Sequence, residues 1–195
     1  KAQVAHFSVI PQPFTWHVFE HDQPKQLGRR LLAHGFERDE EADVILIKDL
    51  TRMPIIQDNP SGIVVRRLSN AYELREVSSI EQICSAGDFS WLIPRLLLQM
   101  GVPGYMSVYL ATVNDIPVGT AWVILPPGSQ FASLYGGATL PDFRGRGVYS
   151  AILASRLEDA AQRGCKFAVV GAGEMSRPIL LKRGFRYLTT SYDYV

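Results

Sequence analysis

Arg144 and Arg146 alternate with Gly145 and Gly147 in the run Gly136-Gly137-Ala138-Thr139-Leu140-Pro141-Asp142-Phe143-Arg144-Gly145-Arg146-Gly147-Val148-Tyr149-Ser150. An apolar, β-leaning segment ends in this run, and a helical pattern leaves it. Open backbone N–H groups at a helix start, with fixed positive charge beside them, suit a phosphate or pyrophosphate. Gly145 and Gly147 lack a Cβ, so the backbone can approach a bulky anion closely. The amides from Gly145 to Ser150 would point out of the helix start. Gly136-Gly137 inside a strand marks a bulge or a close backbone approach. Pro141 removes a donor and helps stop the ladder. The backbone of Ala138, Thr139 and Leu140 could then pair with an extended ligand. A glycine-rich turn with solvated arginines fits the same residues.

The elements that must hold this run follow from periodicity. Met106–Val113, Val118–Leu125 and Gln130–Thr139 alternate as strands, with turns at Asn114-Asp115 and Pro126-Pro127-Gly128, which predicts an antiparallel meander. Val148–Arg163 reads as a helix with Tyr149, Leu153, Leu157 and Ala160 on one stripe, ended by Gly164. Phe167–Ala172 reads as a buried strand, Arg177–Arg183 as a short helix, and Tyr187–Val195 as a last strand. Upstream, Ile63–Arg67 is a strand, and Ser69 or Asn70 caps a helix over Ala71–Ala86. Leu74, Val77, Ile80, Ile83 and Cys84 would face its core. Gly87-Asp88 breaks this helix, and Phe89–Met100 forms another with Pro94 near its start.

Residues 1–60 are read as an N-terminal extension, and 61–195 as the main domain. The extension offers a short strand at Thr15–Glu20, a helix over Gln26–His34 closed by Gly35, an acidic turn from Glu37 to Asp43, and a strand at Val44–Ile47. Met53–Gly62 looks like the linker. Leu31–Phe36 and Leu180–Phe185 share a Leu-Leu-x-x-Gly-Phe pattern. Chance, or a reduced internal repeat, accounts for it.

Apolar residues make up 47% of the 195 and charged residues 20%, which permits a sizeable core. The net charge of +1 gives no general electrostatic case for nucleic acid or an anionic membrane. No apolar run reaches the roughly eighteen residues of a membrane span, and the first residues do not read as a signal peptide. Cys84 and Cys165 lack metal-ligand spacing and read as reduced core residues of a cytoplasmic protein. The four histidines, at 6, 17, 21 and 34, carry no ligand spacing either, so no metal is expected. Trp91, Trp122 and Phe89 read as core or pocket wall.

Arg144-Gly145-Arg146-Gly147-Val148-Tyr149 resembles the Arg/Gln-x-x-Gly-x-Gly/Ala signature of the GNAT superfamily of N-acetyltransferases, and the strand before it and helix after it fit as well. Ile179–Phe185 resembles the family's second motif, which ends in Gly-Phe. The resemblance covers roughly 63–195. It implies an α/β fold: a mixed, mostly antiparallel sheet flanked by helices and split between two central strands, 130–139 and 167–172. It implies acetyl-coenzyme A as cosubstrate, held along Ala138, Thr139 and Leu140, with its pyrophosphate on the amides of Gly145, Arg146, Gly147, Val148 and Tyr149, and with Arg144 and Ser150 beside them. It implies direct attack by a primary amine of a small molecule or peptide, with backbone N–H groups near Leu140 holding the oxyanion, and it leaves a homodimer open. Two positions depart from the pattern. Tyr149 stands where the family has Gly or Ala, and Leu180 stands where many members place the Tyr that protonates the departing thiolate. Ser176 and the tyrosines at 187, 192 and 194 are then candidate acids, Glu174 a candidate base, and Tyr135 a residue facing core or site. A coenzyme A-binding regulatory module without chemistry is the alternative. A phosphate- or RNA-binding domain is a third reading.

Overall fold

The computed structural model describes residues 2–7, 9, 14–52, 62–85 and 89–195. Most of the expected linker at 53–61, and the expected helix break at Gly87-Asp88, lie outside the described residues. Among the described residues the chain is α/β, with eight strands, mostly antiparallel, and six α-helices. It forms two compact units: residues 1–46 with 171–195, and residues 47–170.

The larger unit carries the Arg/Gly run. Its strands are β3 (Ile63–Arg67), β4 (Met106–Val113), β5 (Ile116–Ile124), β6 (Phe131–Thr139) and β7 (Phe167–Ala172, to Val170 in this unit), in the spatial order β7-β6-β5-β4-β3. All neighbours are antiparallel except β6 and β7. Asn114 and Asp115 both take left-handed conformations, φ 49° and 63°. A two-residue hairpin needs that, and short polar side chains tolerate it.

Helices lie on both faces of this sheet. On one, α3 (Leu74–Cys84) and α4 (Leu92–Met100) bury Leu74, Val77, Ile80, Leu92 and Leu96 against Met106, Val108 and Leu110 of β4. On the other, α5 (Val148–Gln162) meets the residues of opposite parity. The Tyr109 hydroxyl donates to Asp159 at 2.7 Å, and Arg163 reaches both Asp159 and Ser107. Burial pushes the Asp159 carboxyl up, but donors on Ser107, Tyr109 and Arg163 outweigh it and hold it below the usual range. The expected cap of α3 forms. Asn70 accepts from the Tyr72 N–H and Glu73 from the Ser69 N–H, although the first turn, Ala71–Glu73, is a tighter 3₁₀ turn. Ile83, expected inward, is exposed, and Glu81 is buried instead. At 100° per residue Glu81 falls within the stripe of Leu74, Val77 and Cys84, whereas Ile83 falls well outside it.

In the smaller unit, β1 (Trp16–Phe19) pairs antiparallel with β8 (Arg186–Tyr194). Helices α1 (Ala2–Phe7), α2 (Leu27–Leu32) and α6 (Arg177–Lys182) also belong to it. Val18, Leu31 and Tyr194 make its core. The acidic stretch expected as a turn is the exposed first half of a twelve-residue strand, β2 (Arg38–Asp49). Backbone pairing extends that strand where side chains give no apolar signal. Glu37 and Val195 exchange both N–H to carbonyl bonds, each at 2.9 Å.

Candidate active site

β6 and β7 pair only from Phe131 with Phe167 to Leu134 with Val170. Beyond Leu134, β6 runs on through Tyr135–Thr139 without that partner, so the strand edge facing β7 is open along the expected stretch. A bulge bends β6 here. Trp122 of β5 pairs with Tyr135 and Thr120 with Ala138, which sets Gly136 and Gly137 together against Ala121. Gly136 has φ 59°, and a Cβ there would lie 1.8 Å from the Trp122 ring, so only glycine fits. A Cβ on Gly137 would lie 2.7 Å from the Tyr149 ring.

That contact accounts for Tyr149. Its phenol packs on Gly137 and meets the guanidinium of Arg156, one of the most deeply buried side chains of the unit. Burial lowers the basicity of Arg156, and the Tyr149 oxygen works against that. Arg156 donates to the carbonyls of Tyr135 at 3.1 Å and Trp122 at 3.4 Å. The bulge takes both carbonyls out of the regular ladder, and the buried arginine supplies the missing donors. The Tyr149 ring thus turns toward the sheet, away from the loop.

After β6, a 3₁₀ turn over Pro141–Phe143 leads into the loop. Gly145 and Gly147 have φ of 73° and 91°, and a Cβ on Gly145 would meet nothing within 4 Å. Helix α5 starts from Gly147, which has no side chain to cap the first-turn N–H groups. Arg144 and Arg146 are exposed at this mouth, Arg146 over the Phe143 ring at 5.1 Å. These open amides, glycines and guanidiniums fit a pyrophosphate.

The Leu140 N–H, expected near an oxyanion, donates to the Val118 carbonyl at 2.9 Å and is spent there. Thr139, opposite Gly119, has its N–H and carbonyl turned the other way, to the open edge of β6. Its carbonyl accepts from Arg144 Nε at 3.2 Å, its N–H reaches the Cys84 sulfur, and its Oγ1 is buried without a partner. Burial raises the Cys84 thiol's pKa, against the pull of Arg144 and the Thr139 N–H. Glu81, one turn back on α3, is buried with Oε1 unpartnered. Desolvation raises its pKa to about 7. A carboxylate on the apolar stripe of a helix is the signal that sequence reading missed. Tyr135 pairs across from Trp122 and therefore shares the α3 and α4 face, half exposed.

The other candidates lie in the smaller unit. Ser176 Oγ donates to the Gly173 carbonyl at 3.2 Å, and Glu174 is exposed. Leu180 is fully buried. Tyr187 donates to Glu20, Tyr192 lies under the Arg38 guanidinium, and Tyr194 is buried against Gly28. Among the described residues no group of three His, Cys, Asp or Glu side chains is placed to hold a metal ion. No described helix is long and apolar enough to cross a membrane.

A split sheet with a glycine-arginine loop feeding an uncapped helix sets an open strand edge and an anion site side by side. Residues 72–185, more than half of the chain, match the model of the acetyltransferase (GNAT) family, and the chain belongs to that family. Among solved structures it is similar to a GCN5-related N-acetyltransferase from Kribbella flavida, at 18% identity and TM-score 0.74, covering 97% of this chain and 70% of that one. A Clostridium acetobutylicum protein solved with acetyl-CoA matches at 19% identity and TM-score 0.52, over 64% of this chain and 90% of its own. AAC(6')-Iy in complex with a CoA bisubstrate analog matches at 17% and 0.56, over 65% and 92%. No curated protein matches the sequence.

Proposed function

We propose that this acetyltransferase moves the acetyl group of acetyl-coenzyme A to a primary amine of a small molecule or peptide, by direct attack. The observation that carries the reading is the open edge of β6 beyond Leu134, leading straight into the uncapped start of α5. The thioester supplies an activated acetyl group. Thr139 turns its N–H and carbonyl to the open edge of β6, where an extended chain would take them over from Cys84 and Arg144. Arg144, Arg146 and the amides of Gly145 to Ser150 hold the pyrophosphate. The Clostridium protein was solved with acetyl-CoA and AAC(6')-Iy with a CoA bisubstrate analog, which supports acetyl-CoA as the cosubstrate in this reading.

Calorimetry with acetyl-CoA, and thiol release against a panel of amines, amino acids and peptides, test the proposal. Saturable binding with turnover of at least one amine is expected. Absence of binding at millimolar concentration overturns the reading. Binding without turnover on any amine favours a regulatory coenzyme A-binding module, which the buried Leu180 would suit. Replacing both Arg144 and Arg146 by Ala should weaken acetyl-CoA binding by ~10-fold or more, with a shallower salt dependence than wild type, because two phosphate-facing charges are gone.

A further inference from the structure

Glu81 is an acid in a place where an acid costs stability. It sits on the inner stripe of α3 between Val77 and Cys84, 5% exposed, with Oε1 buried and unpartnered. Purely structural buried carboxylates are paired or hydrogen-bonded. Three residues further, at roughly 4.5 Å along the helix, Cys84 meets the Thr139 N–H and the Arg144 guanidinium at the open edge of β6. The stripe that carries Glu81 therefore looks onto the strand where the thioester is expected, from the face that also bears Tyr135 and Trp122.

Resting on the acetyltransfer reading above, we propose that the Glu81 carboxylate is the base that takes the proton of the acceptor amine. The amine nitrogen bonds to the acetyl carbon, and the carbon–sulfur bond breaks with its electron pair on sulfur. The amine proton passes to Glu81. Glu81 takes that proton from the ammonium form before attack and passes it to water, and the second amine proton goes to the thiolate, which gives neutral coenzyme A and leaves the carboxylate restored. The surroundings tune this group to its task. Strand β5 carries no titratable side chain, and β6 carries only Tyr135. Helix α4 carries only Arg95, which lies over Trp91. On its own helix Cys84 is the near neighbour, with Arg144 beyond it on the loop. Burial without a compensating cation brings the carboxyl to about 7, where proton transfer at neutral pH is most effective.

The test compares wild type with Glu81→Gln, a substitution of nearly equal shape, on two primary amines. One is strongly basic (n-butylamine) and one weakly basic (trifluoroethylamine), so that it is already neutral at pH 7. On n-butylamine kcat should fall ~100-fold, and the limb of the kcat/KM pH profile near 7 should disappear. Trifluoroethylamine should lose less than ~10-fold, because little deprotonation is required. Acetyl-CoA affinity by calorimetry should stay within ~2-fold, which shows that the fold and the cosubstrate site survive. Equal loss on both amines, or an unchanged pH profile with wild-type rates, overturns the role of Glu81 while leaving acetyltransfer standing. A wild type that turns over neither amine, nor any other primary amine, overturns the acetyltransfer reading and this role with it.

Discussion

Gly136 has no substitute at its position. With φ at 59° and a Cβ that would fall 1.8 Å from the Trp122 ring, both backbone and packing reject a side chain. Gly136→Ala should destabilise the protein by about 3 kcal/mol or more, read as a lower urea midpoint, and should lower acetyl-CoA affinity, because the bulge sets the course of β6. The bulge itself was legible as paired glycines in a strand. Its partner was not. Arg156 lies twenty residues further on, in a helix where an arginine reads as solvent-facing. Only the fold brings it under the two carbonyls that the bulge releases. Tyr149 departs from the family signature for the same reason, since its phenol serves the buried guanidinium and not the loop. Glu81 could have been found from its place at i+4 from Val77 and i+7 from Leu74. The apolar side chain of Ile83 drew the inward reading instead, although hydrophobicity alone does not set which way a helical residue points.

Strands β3, β4 and β7 lie where their apolar and β-branched runs placed them, and the turns between elements follow from glycine and asparagine. The first half of β2 escaped, because an exposed acidic strand has no hydrophobic period and is held by backbone pairing that only the folded chain supplies. The echo between Leu31–Phe36 and Leu180–Phe185 has a local physical basis. In both, the Phe N–H returns to the first Leu carbonyl, at 3.2 and 3.1 Å, over a glycine of positive φ. That is the hydrogen-bonding of a helix C-terminus, and Ala160–Cys165 repeats it at 3.0 Å after α5. Helix α3 has the matching device at its start, and Asn70→Ala should cost about 1 kcal/mol in urea unfolding. Its other end supplies a probe of the cleft. Cys84 is part-exposed beside Thr139 and Arg144, whereas Cys165 is buried. Alkylation of Cys84 by iodoacetamide, followed by mass spectrometry, should slow at least ~10-fold in saturating acetyl-CoA. An unchanged rate would separate the end of α3 from the cosubstrate track.

For the whole molecule, the buried carboxylate links the proposed chemistry to stability. Family membership rests on the match over residues 72–185, while identities of 17–19% to solved structures speak for the fold. Neither says what holding Glu81 inside costs. Its pKa rises from 4.5 to about 7 on folding, so between those values the folded state binds the extra proton and the unfolded state does not. Stability therefore falls as pH rises from about 5 toward 7 and levels off above it. A shift of between two and three pH units, at ~1.4 kcal/mol each, makes the loss about 3 kcal/mol. Gln at this position carries no charge at any pH and should remove the slope. Urea unfolding should find Glu81→Gln close to wild type at pH 5 and more stable at pH 8, by up to about 3 kcal/mol. Equal stability at both pH values would mean that the carboxylate finds a partner or water in solution. It would then lack the raised pKa that suits it to accept a proton at neutral pH. A variant that gains stability while losing turnover would identify Glu81 as a residue whose place in the fold is owed to the reaction.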